Sequence, residues 1–318
     1  ALAIGPRAIL MIVVLTGGTG GAKLIEGLAA EIDAAELTII GNTGDDCVFH
    51  GLNISPDIDT IIYTLAGLVD SAKSWGIKGD TFSVLDQLRC LGDEAWFQLG
   101  DKDLATHITR TRLLREGAKL SEVTDRIRRS LGVKATILPM SDDRVETRVD
   151  TPRGEISFQE FFVKEGSALE VIGVRFDGAE ISEPAPGVIE AIERANAIVV
   201  CPSNPITSIG PILAVPGIRA VLKEVKAPVV GVSPIIGQVA ISGPAHKLMI
   251  ACGKEASVVG VAECYDDFLD TLLIAHEDQG WMRQIDRLHV EVVLGDIRMT
   301  SLVEKRRLAR EVLAWARK

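Results

Sequence analysis

The sequence has few cysteines, and their spacing matches no familiar site. The five are Cys47, Cys90, Cys201, Cys252 and Cys264, and no two of them form a C-x-x-C pair. This spacing excludes the common zinc-site signatures and gives no sign of a disulfide framework. We therefore expect a protein of a reducing compartment, namely the cytoplasm.

The chain also lacks a long apolar run and an excess of basic residues. Its apolar runs fall well short of the roughly 20 residues that span a bilayer, and residues 1–10 lack the pattern of a signal peptide. Asp and Glu total 44 against 34 Lys and Arg, a formal net charge of −10. Because nucleic acid and anionic membranes bind basic faces, we expect neither as a partner. A phosphorylated small molecule remains compatible, since backbone N–H groups or a metal ion can hold it locally.

Short apolar runs and helical stretches alternate along most of the chain. The pattern predicts strands at 8–15 and 37–41 and in the stretches "AIVVCP" and "PVVGVSP". It predicts helices at 21–31, 57–70, 80–92, 103–117, 187–195 and 210–224. This βαβ order is typical of an α/β protein with a Rossmann-like, mostly parallel sheet and helices on both faces.

Residues 116–179 differ from this order. Two alternating strands flank Pro152-Arg153-Gly154, which predicts a hairpin rather than a crossover unit. We therefore predict one Rossmann-like domain formed by 11–115 together with 180–305, and a smaller inserted α+β region at 116–179. Met11 stands where a start would suit the first strand, so residues 1–10 are expected to be upstream or expression-derived sequence.

A glycine-rich loop, "LTGGTGGAKLIEGL", joins the first strand to the first helix. Unpaired N–H groups and the helix dipole make such a loop a site for anions. It is not a Walker A loop, because Ala22 replaces the second glycine and Leu24 the hydroxyl residue. A dinucleotide fingerprint is also disfavoured, since Lys23 replaces the third glycine and Asn42 stands where an acidic residue is expected. A tight turn without a ligand remains the alternative.

Four carboxylates follow the second strand, and they are Asp45, Asp46, Asp57 and Asp59. The carboxyl ends of parallel strands meet at one edge of the sheet, so these side chains are expected opposite the glycine loop. Helix capping explains one of them but hardly all four. Such carboxylates suit Mg²⁺ bound to substrate phosphates, or one could act as a general base.

Two further stretches carry polar side chains whose role the sequence leaves open. In "LGDKDLATHITRT", Asp101, Asp103, His107 and Arg110 recur at about one helical turn, which suits either a functional face or a surface with caps. In "CPSNPITSIGPI", a turn rich in small polar residues opens a helix, either as a second anion site or as an ordinary turn.

Eight stretches together resemble the 2-phospho-L-lactate transferase family of coenzyme F420 biosynthesis. They are "LTGGTGGAKLIEGL", "NTGDD", "ISPDIDT", "WGIKGDTF", "LGDKDLATHI", "ILPMSDD", "PSNPITSIGPI" and "SPIIG…SGPAHKLM", in order from Met11 to about residue 305. The resemblance implies a Rossmann-like fold with an insertion, a homodimer and a Mg²⁺-dependent reaction. It implies transfer of a phospho-acid from a guanosine-diphosphate-activated donor to the terminal ribityl hydroxyl of 7,8-didemethyl-8-hydroxy-5-deazariboflavin, with release of GMP and formation of coenzyme F420-0 or an analogue.

The resemblance also implies roles for particular residues. Asp59 matches the aspartate that contacts the deazaflavin, and Gln98 stands where the family has a basic residue in contact with it. We hypothesise that Asp59 orients or deprotonates the attacking hydroxyl, with Asp57 beside it in the catalytic group. The expected metal ligands are Asp45, Asp46 and Asp57. The expected phosphate and nucleotide contacts are Gly17, Gly18, Thr19, Gly20, Gly21, Lys23, Ser203, Asn204 and Ser208.

Two other readings of the glycine loop are weaker. A neighbouring family of non-enzymatic, nucleotide-sugar-binding regulatory proteins shares the loop, but continues after an acidic pair into "GGSSGRLR", where this chain has "CVFHGLNISPDIDT". A nicotinamide-dependent dehydrogenase is disfavoured by Lys23 and Asn42. The sequence leaves the transferred acid open among lactate, enolpyruvate and glycerate.

Overall fold

The computed structural model describes residues 11–237, 239–241 and 243–316. Its strands are β1 (Ile12–Thr16), β2 (Leu37–Gly41), β3 (Cys47–Phe49), β4 (Leu52–Ile54), β5 (Thr136–Pro139), β6 (Glu146–Thr151), β7 (Gly154–Ser157), β8 (Gly173–Asp177), β9 (Ala197–Val200), β10 (Val229–Val232), β11 (Ile235–Ile236), β12 (Val239–Ala240), β13 (Thr271–Ala275) and β14 (Glu291–Gly295). The expectation about residues 1–10 lies outside the described residues.

The α-helices surround these strands. They are α1 (Gly18–Ala29), α2 (Pro56–Leu65), α3 (Ser83–Leu91), α4 (Asp103–Arg115), α5 (Leu120–Ser130), α6 (Val188–Arg194), α7 (Gly210–Ala214), α8 (Ile218–Glu224), α9 (Ala245–Ala251), α10 (Val258–Glu263), α11 (Met282–Asp286) and α12 (Leu302–Trp315). Short 3₁₀ turns lie at Ala34–Glu36, Ala179–Ile181 and His276–Trp281, and π-helical turns at Glu160–Lys164 and Pro205–Ile209.

Seven strands form one sheet in the order β14-β13-β10-β9-β1-β2-β5, and every neighbouring pair in it is parallel. The chain moves outward from β1 in one direction and then returns to start again at β9 on its other side. This reversal is the doubly wound order of Rossmann-like folds, and it confirms the predicted fold class.

The central strand β1 shows why the sheet carries helices on both faces. All five of its residues are buried. Val13 and Leu15 pack in one apolar core with α7 to α10, whereas Ile12 and Val14 pack in the other with α1, α2 and α12. Because successive side chains point to opposite faces, an uninterrupted apolar strand requires a hydrophobic layer on each side.

Several predicted boundaries shift in the structure. Helix α1 begins at Gly18 rather than at residue 21, so most of the glycine loop forms the first helical turn. The helix predicted over 210–224 is broken into α7 and α8, because Pro216 lacks an N–H and Gly217 has a φ of +91°. Within the described ranges, no single helix is long and apolar enough to cross a membrane. The pair Pro205–Ala214 and Ile218–Glu224 has the length and composition of a span only when its two members are taken together, and it is bent by 89°.

The region predicted as an insertion contains a separate small sheet. Strands β7, β6 and β8 are antiparallel, and Pro152 and Arg153 join β6 to β7 in the predicted hairpin. Strand β5 lies within the same predicted range, yet it pairs with β2 as an edge of the main sheet. The small sheet therefore begins later than residue 116. The division of the chain into domains stays a prediction.

Candidate functional site

A cavity of about 510 Å³ opens at the carboxyl ends of β1, β2 and β9. It lies where the strand order reverses, which is the usual ligand position in doubly wound sheets, and its size suits a cofactor-sized molecule. The structure brings together here most of the predicted site residues, which are Gly17, Gly18, Thr19, Gly20, Asp45, Asp57, Asp59, Gln98, Ser203, Asn204 and Ser208.

Three predicted site residues are not in the wall of this cavity. A Cβ on Gly21 would collide with the Oγ1 of Thr16 and lie 2.8 Å from the Oγ of Ser203, so this glycine serves helix packing. Lys23 lies on α1 beyond the residues of this helix that line the cavity. The Oδ2 of Asp46 accepts a hydrogen bond of 2.5 Å from the Oγ of Ser55.

The glycine loop is held in place by side chains from outside it. Gly17 is the extended residue before α1, and its carbonyl accepts a 2.7 Å hydrogen bond from the Oγ of Ser203. The backbone N–H of Gly18 lies close to the carboxyl group of Asp57 and acts to lower its pKa, against the larger effect of burial. The start of the helix thus already contacts an acidic side chain, and a bound phosphate would share this position with Asp57.

Close packing explains two of the glycines better than phosphate binding does. A Cβ on Gly20 would lie 2.5 Å from the carbonyl oxygen of Pro202. With Gly21 against Thr16, this allows α1 to sit directly on the loop that follows β9. The contact at Gly20 involves a backbone oxygen and cannot be relieved without moving the backbone, and that at Gly21 requires the buried side chain of Thr16 to shift.

We expect Gly21→Ala to lower the free energy of unfolding by about 1–3 kcal/mol, the usual cost of overpacking a well-packed site. Gly280→Ala is the matched control, because nothing lies within 4 Å of its added Cβ and its φ is not in the left-handed region. Urea denaturation of both variants measures the difference. Equal stability of the two would contradict the packing role.

Asn42 is the centre of the acidic wall. Its Nδ2 lies 3.1 Å from Oδ2 of Asp45, 2.9 Å from Oδ2 of Asp57 and 3.1 Å from the carbonyl of Thr207, so two hydrogens serve three acceptors. Its Oδ1 accepts the N–H of Gly44 at 2.8 Å. The sequence identified Asn42 only as the wrong residue for a nicotinamide site. The sequence signal that could have identified Asn42 was its place directly after β2.

Burial makes this wall electrostatically unfavourable as it stands. Desolvation raises the pKa of Asp57 to about 6. Desolvation and then the charge of Asp57 raise the pKa of Asp45 well above its ordinary value, and desolvation does the same for Asp46. The Oδ1 atoms of Asp45 and Asp46 are buried and lack a hydrogen-bond partner among the described residues. A positive charge at this wall would favour the ionised forms.

A magnesium site formed by Asp45 and Asp57 alone fits the structure better than the predicted site that also includes Asp46. Over the described ranges, no group of three His, Cys, Asp or Glu side chains converges on one point. Mg²⁺ commonly uses one or two carboxylates and completes its shell with water and substrate phosphates. Asp45 and Asp57 provide two such carboxylates on the cavity wall, whereas Asp46 is hydrogen-bonded to Ser55.

We expect the difference in free energy of unfolding between Asp57→Asn and the unmodified chain to depend on pH. The pKa of Asp57 is raised from 3.8 to about 6 in the folded protein, so between these values the folded state binds more protons than the unfolded state. The ionisation of Asp57 therefore lowers the free energy of unfolding as the pH rises through this window. Without Mg²⁺, the stability gain of Asp57→Asn over the unmodified chain should grow from about pH 4 to about pH 6 and then level off. Urea denaturation across this range checks it, and a gain that shrinks with rising pH would contradict the assignment.

The remaining predicted carboxylate, Asp59, is bound by a buried arginine. Arg110 is fully buried on α4, and its Nη1 and Nη2 donate to the two oxygens of Asp59, the former at 2.9 Å. This fork-to-fork pairing fixes the carboxylate in one orientation. The geometry favours an orienting role for Asp59 over proton abstraction, and both roles stay predictions.

The helix face predicted around residue 107 forms in part. Asp103, His107 and Arg110 lie together on the side of α4 that meets Asp59 and Tyr63 of α2. Asp101, in contrast, accepts the backbone N–H groups of Ser83 and Val84 at the start of α3. For Asp101 the capping interpretation is therefore the correct one. Asp57 and Asp59 do not cap α2, whose N-cap is Ser55.

Aromatic side chains form another part of the cavity lining, and the sequence reasoning missed them. The chain has only 4 Trp, 2 Tyr and 8 Phe, yet six of them line the cavity, namely Tyr63, Trp75, Trp96, Phe97, Phe158 and Phe162. Phe158 and Phe162 stack with ring centroids 5.5 Å apart. They lie between β7 and β8 of the small sheet, and Gln159 of the same segment donates a 3.0 Å hydrogen bond to the carbonyl of Asp45. The concentration of rare aromatics in "EAWFQLG" and "SFQEFF" was the available signal.

Comparisons with known proteins identify the family of this chain. The family model described as 2-phospho-L-lactate transferase CofD matches residues 12–312. The chain is 43% identical over 301 residues to the 2-phospho-L-lactate transferase of Methanosarcina mazei, covering 95% of this chain and 99% of the relative. It is 45% identical over 308 residues to that of Methanopyrus kandleri, covering 96% and 97%.

A second name occurs at nearly the same identity. The chain is 42% identical over 313 residues to the phosphoenolpyruvate transferase of Streptomyces griseus, covering 96% of this chain and 98% of the relative. Among solved structures, a member of the UPF0052 family from Bacillus halodurans matches with a TM-score of 0.63 at 15% identity, covering 96% and 98% of the two chains. That likeness supports the fold alone. The family match across nearly the whole described chain shows that this protein belongs to the 2-phospho-L-lactate transferase family and is a transferase of coenzyme F420 biosynthesis.

Proposed function

We propose that this protein transfers a 2-phospholactyl or related phospho-acid group from a guanosine-diphosphate-activated donor to the terminal ribityl hydroxyl of 7,8-didemethyl-8-hydroxy-5-deazariboflavin. The bond from the hydroxyl oxygen to the distal phosphorus forms, the bond from that phosphorus to the GMP oxygen breaks, and the hydroxyl loses its proton. The homodimeric state and the cytoplasmic location stay predictions.

The observation that carries the proposal is the mixed lining of the cavity. Carboxylates, serines and the start of α1 line it together with six aromatic side chains. A flat tricyclic ring suits the aromatic side chains, since stacking and edge contacts favour planar partners. A diphosphate suits the start of α1 through its backbone N–H groups, together with a cation bound by the carboxylates. One cavity would therefore hold both substrates.

Different residues would contact the acceptor, the donor and the cation. Asp59, fixed by Arg110, would accept a hydrogen bond from the attacking hydroxyl and orient its oxygen. Ser203, Asn204 and Ser208 would contact the nucleotide of the donor. Asp45 and Asp57 would hold Mg²⁺, which when bound neutralises charge on the diphosphate oxygens.

Mass spectrometry of the reaction products tests this proposal. The protein is incubated with the deazaflavin, Mg²⁺ and, in separate tubes, the lactyl, enolpyruvyl and glyceryl donors. We expect one donor to give the corresponding phosphodiester together with GMP. The donor that reacts identifies the transferred acid. The names of the relatives leave this acid open, because one is called a 2-phospho-L-lactate transferase and another a phosphoenolpyruvate transferase. Tight binding of nucleotide sugars without deazaflavin binding would instead support the regulatory alternative.

A further inference from the structure

The ring of His107 has an unusual position, because it lines the cavity and yet is almost completely buried. Five polar groups surround it. Asp59, Asp103 and Arg110 face it directly, and Tyr63 and Thr106 lie behind Asp103, where the Tyr63 hydroxyl donates to Oδ1 of Asp103 at 2.6 Å. The chemistry of these neighbours determines which ring nitrogen carries the proton.

Arg110 fixes the tautomer of His107. Its Nη1 lies 3.3 Å from Nδ1 of His107 while also donating to Oδ2 of Asp59. A guanidinium is donor-only, so Nδ1 must present its lone pair to Arg110. The proton of the neutral ring is therefore on Nε2.

That Nε2–H has no good acceptor within the described part of the chain. Oδ2 of Asp103 is 3.2 Å away, but it lies off the direction of the N–H bond, so this contact is electrostatic and Nε2 makes no hydrogen bond. A buried donor left unpaired costs roughly 1–3 kcal/mol. Such a group in the wall of a ligand cavity is a candidate for pairing with the ligand.

We propose that Nε2–H of His107 donates a hydrogen bond to a hydroxyl of the ribityl chain of the acceptor, next to the hydroxyl that Asp59 orients. This inference rests on the proposed function, because it names a contact to that acceptor. Arg110 then has two positioning roles, since it fixes the Asp59 carboxylate and sets the His107 tautomer. Together they provide one acceptor and one donor for a chain of hydroxyl groups.

Three variants of His107 separate this contact from a structural role. The amide nitrogen of His107→Gln can occupy the place of Nε2, that of His107→Asn can reach only the place of Nδ1, and His107→Phe keeps the ring without a donor. We expect His107→Phe and His107→Asn to weaken binding of the deazaflavin about tenfold, and His107→Gln to restore most of it. Fluorescence titration without donor measures this affinity, and urea denaturation verifies that each variant is folded.

A modified acceptor makes the test specific. A deazaflavin with an alkyl chain in place of the ribityl chain should bind the unmodified protein and all three variants equally. The KM for the phosphorylated donor should not change in any variant. If His107→Phe weakens both acceptors alike, or if Asn and Gln behave the same, the contact is wrong. If the unmodified protein binds neither deazaflavin, the proposed function itself fails, which is a distinct result.

Discussion

Asp45→Asn is expected to lower turnover by about 100-fold or more and, in the absence of Mg²⁺, to raise the free energy of unfolding. The two effects have one cause. Burial and the charge of Asp57 raise the pKa of Asp45, so its ionised form is unfavourable in the folded state. A neutral amide of the same shape relieves that penalty while removing a candidate ligand for the cation. Steady-state assays and urea denaturation measure the two changes.

Asp46→Asn is the matched control for this prediction. It makes the same change of charge in the adjacent residue, whose side chain is held by Ser55 and lies outside the cavity wall. We expect its turnover to stay within a few-fold of the unmodified chain. The rise in melting temperature caused by Mg²⁺ should persist in Asp46→Asn and disappear in Asp45→Asn. Full activity of Asp45→Asn, or loss of the Mg²⁺ effect in both variants, would contradict the assignment of the metal ligands.

The second prediction concerns the buried pair of Asp59 and Arg110. Removing one partner leaves the other charged and buried, so Asp59→Leu and Arg110→Met should each cost about 3–5 kcal/mol of stability. The double variant Asp59→Leu/Arg110→Met should recover most of that loss, because apolar side chains of similar volume can replace a buried ion pair at little cost. Turnover should nevertheless be lost in all three variants, since the orienting carboxylate is absent or misplaced.

An exposed pair on the same helix provides the control. Arg112 and Glu116 form an ion pair with both side chains more than half exposed, so Arg112→Ala should cost at most about 1 kcal/mol. The stabilities come from urea denaturation and the rates from the transferase assay. A double variant as unstable as the sum of the single variants would show that the two residues act independently. A double variant that retains turnover would show that the pair serves stability alone.

Much of the fold could be predicted from the sequence because its determinants are local. The apolar run before the glycines and the helical spacing after them indicate β1 and α1, and the later βαβ order indicates the parallel sheet. The position of Asp45 and Asp57 at the edge near the glycine loop followed from strand direction alone. The break between α7 and α8 was also local, at Pro216 and Gly217, but the apolar spacing over 210–224 concealed it.

The rest of the site depends on tertiary placement that spacing cannot show. Arg110 reaches Asp59 across 51 positions of sequence, and no periodicity indicates which carboxylate a buried arginine will choose. Phe158 and Phe162 reach the cavity from the segment between β7 and β8, where the sequence pattern predicts only an alternating hairpin. Gly21 looked like a phosphate contact because glycine suits both close packing and ligand approach. Only the position of Thr16 decides between the two.

The most direct test of the central claim is to follow the oxygen of the acceptor. The deazaflavin is labelled with ¹⁸O at its terminal ribityl hydroxyl and incubated with Mg²⁺ and the donor that reacts. If this hydroxyl attacks phosphorus, the ¹⁸O isotope shift of the ³¹P NMR signal will show the label bonded to phosphorus in the phosphodiester product, and mass spectrometry will find none in the GMP. A product whose phosphorus carries no label, or no product from any of the three donors, would contradict the account.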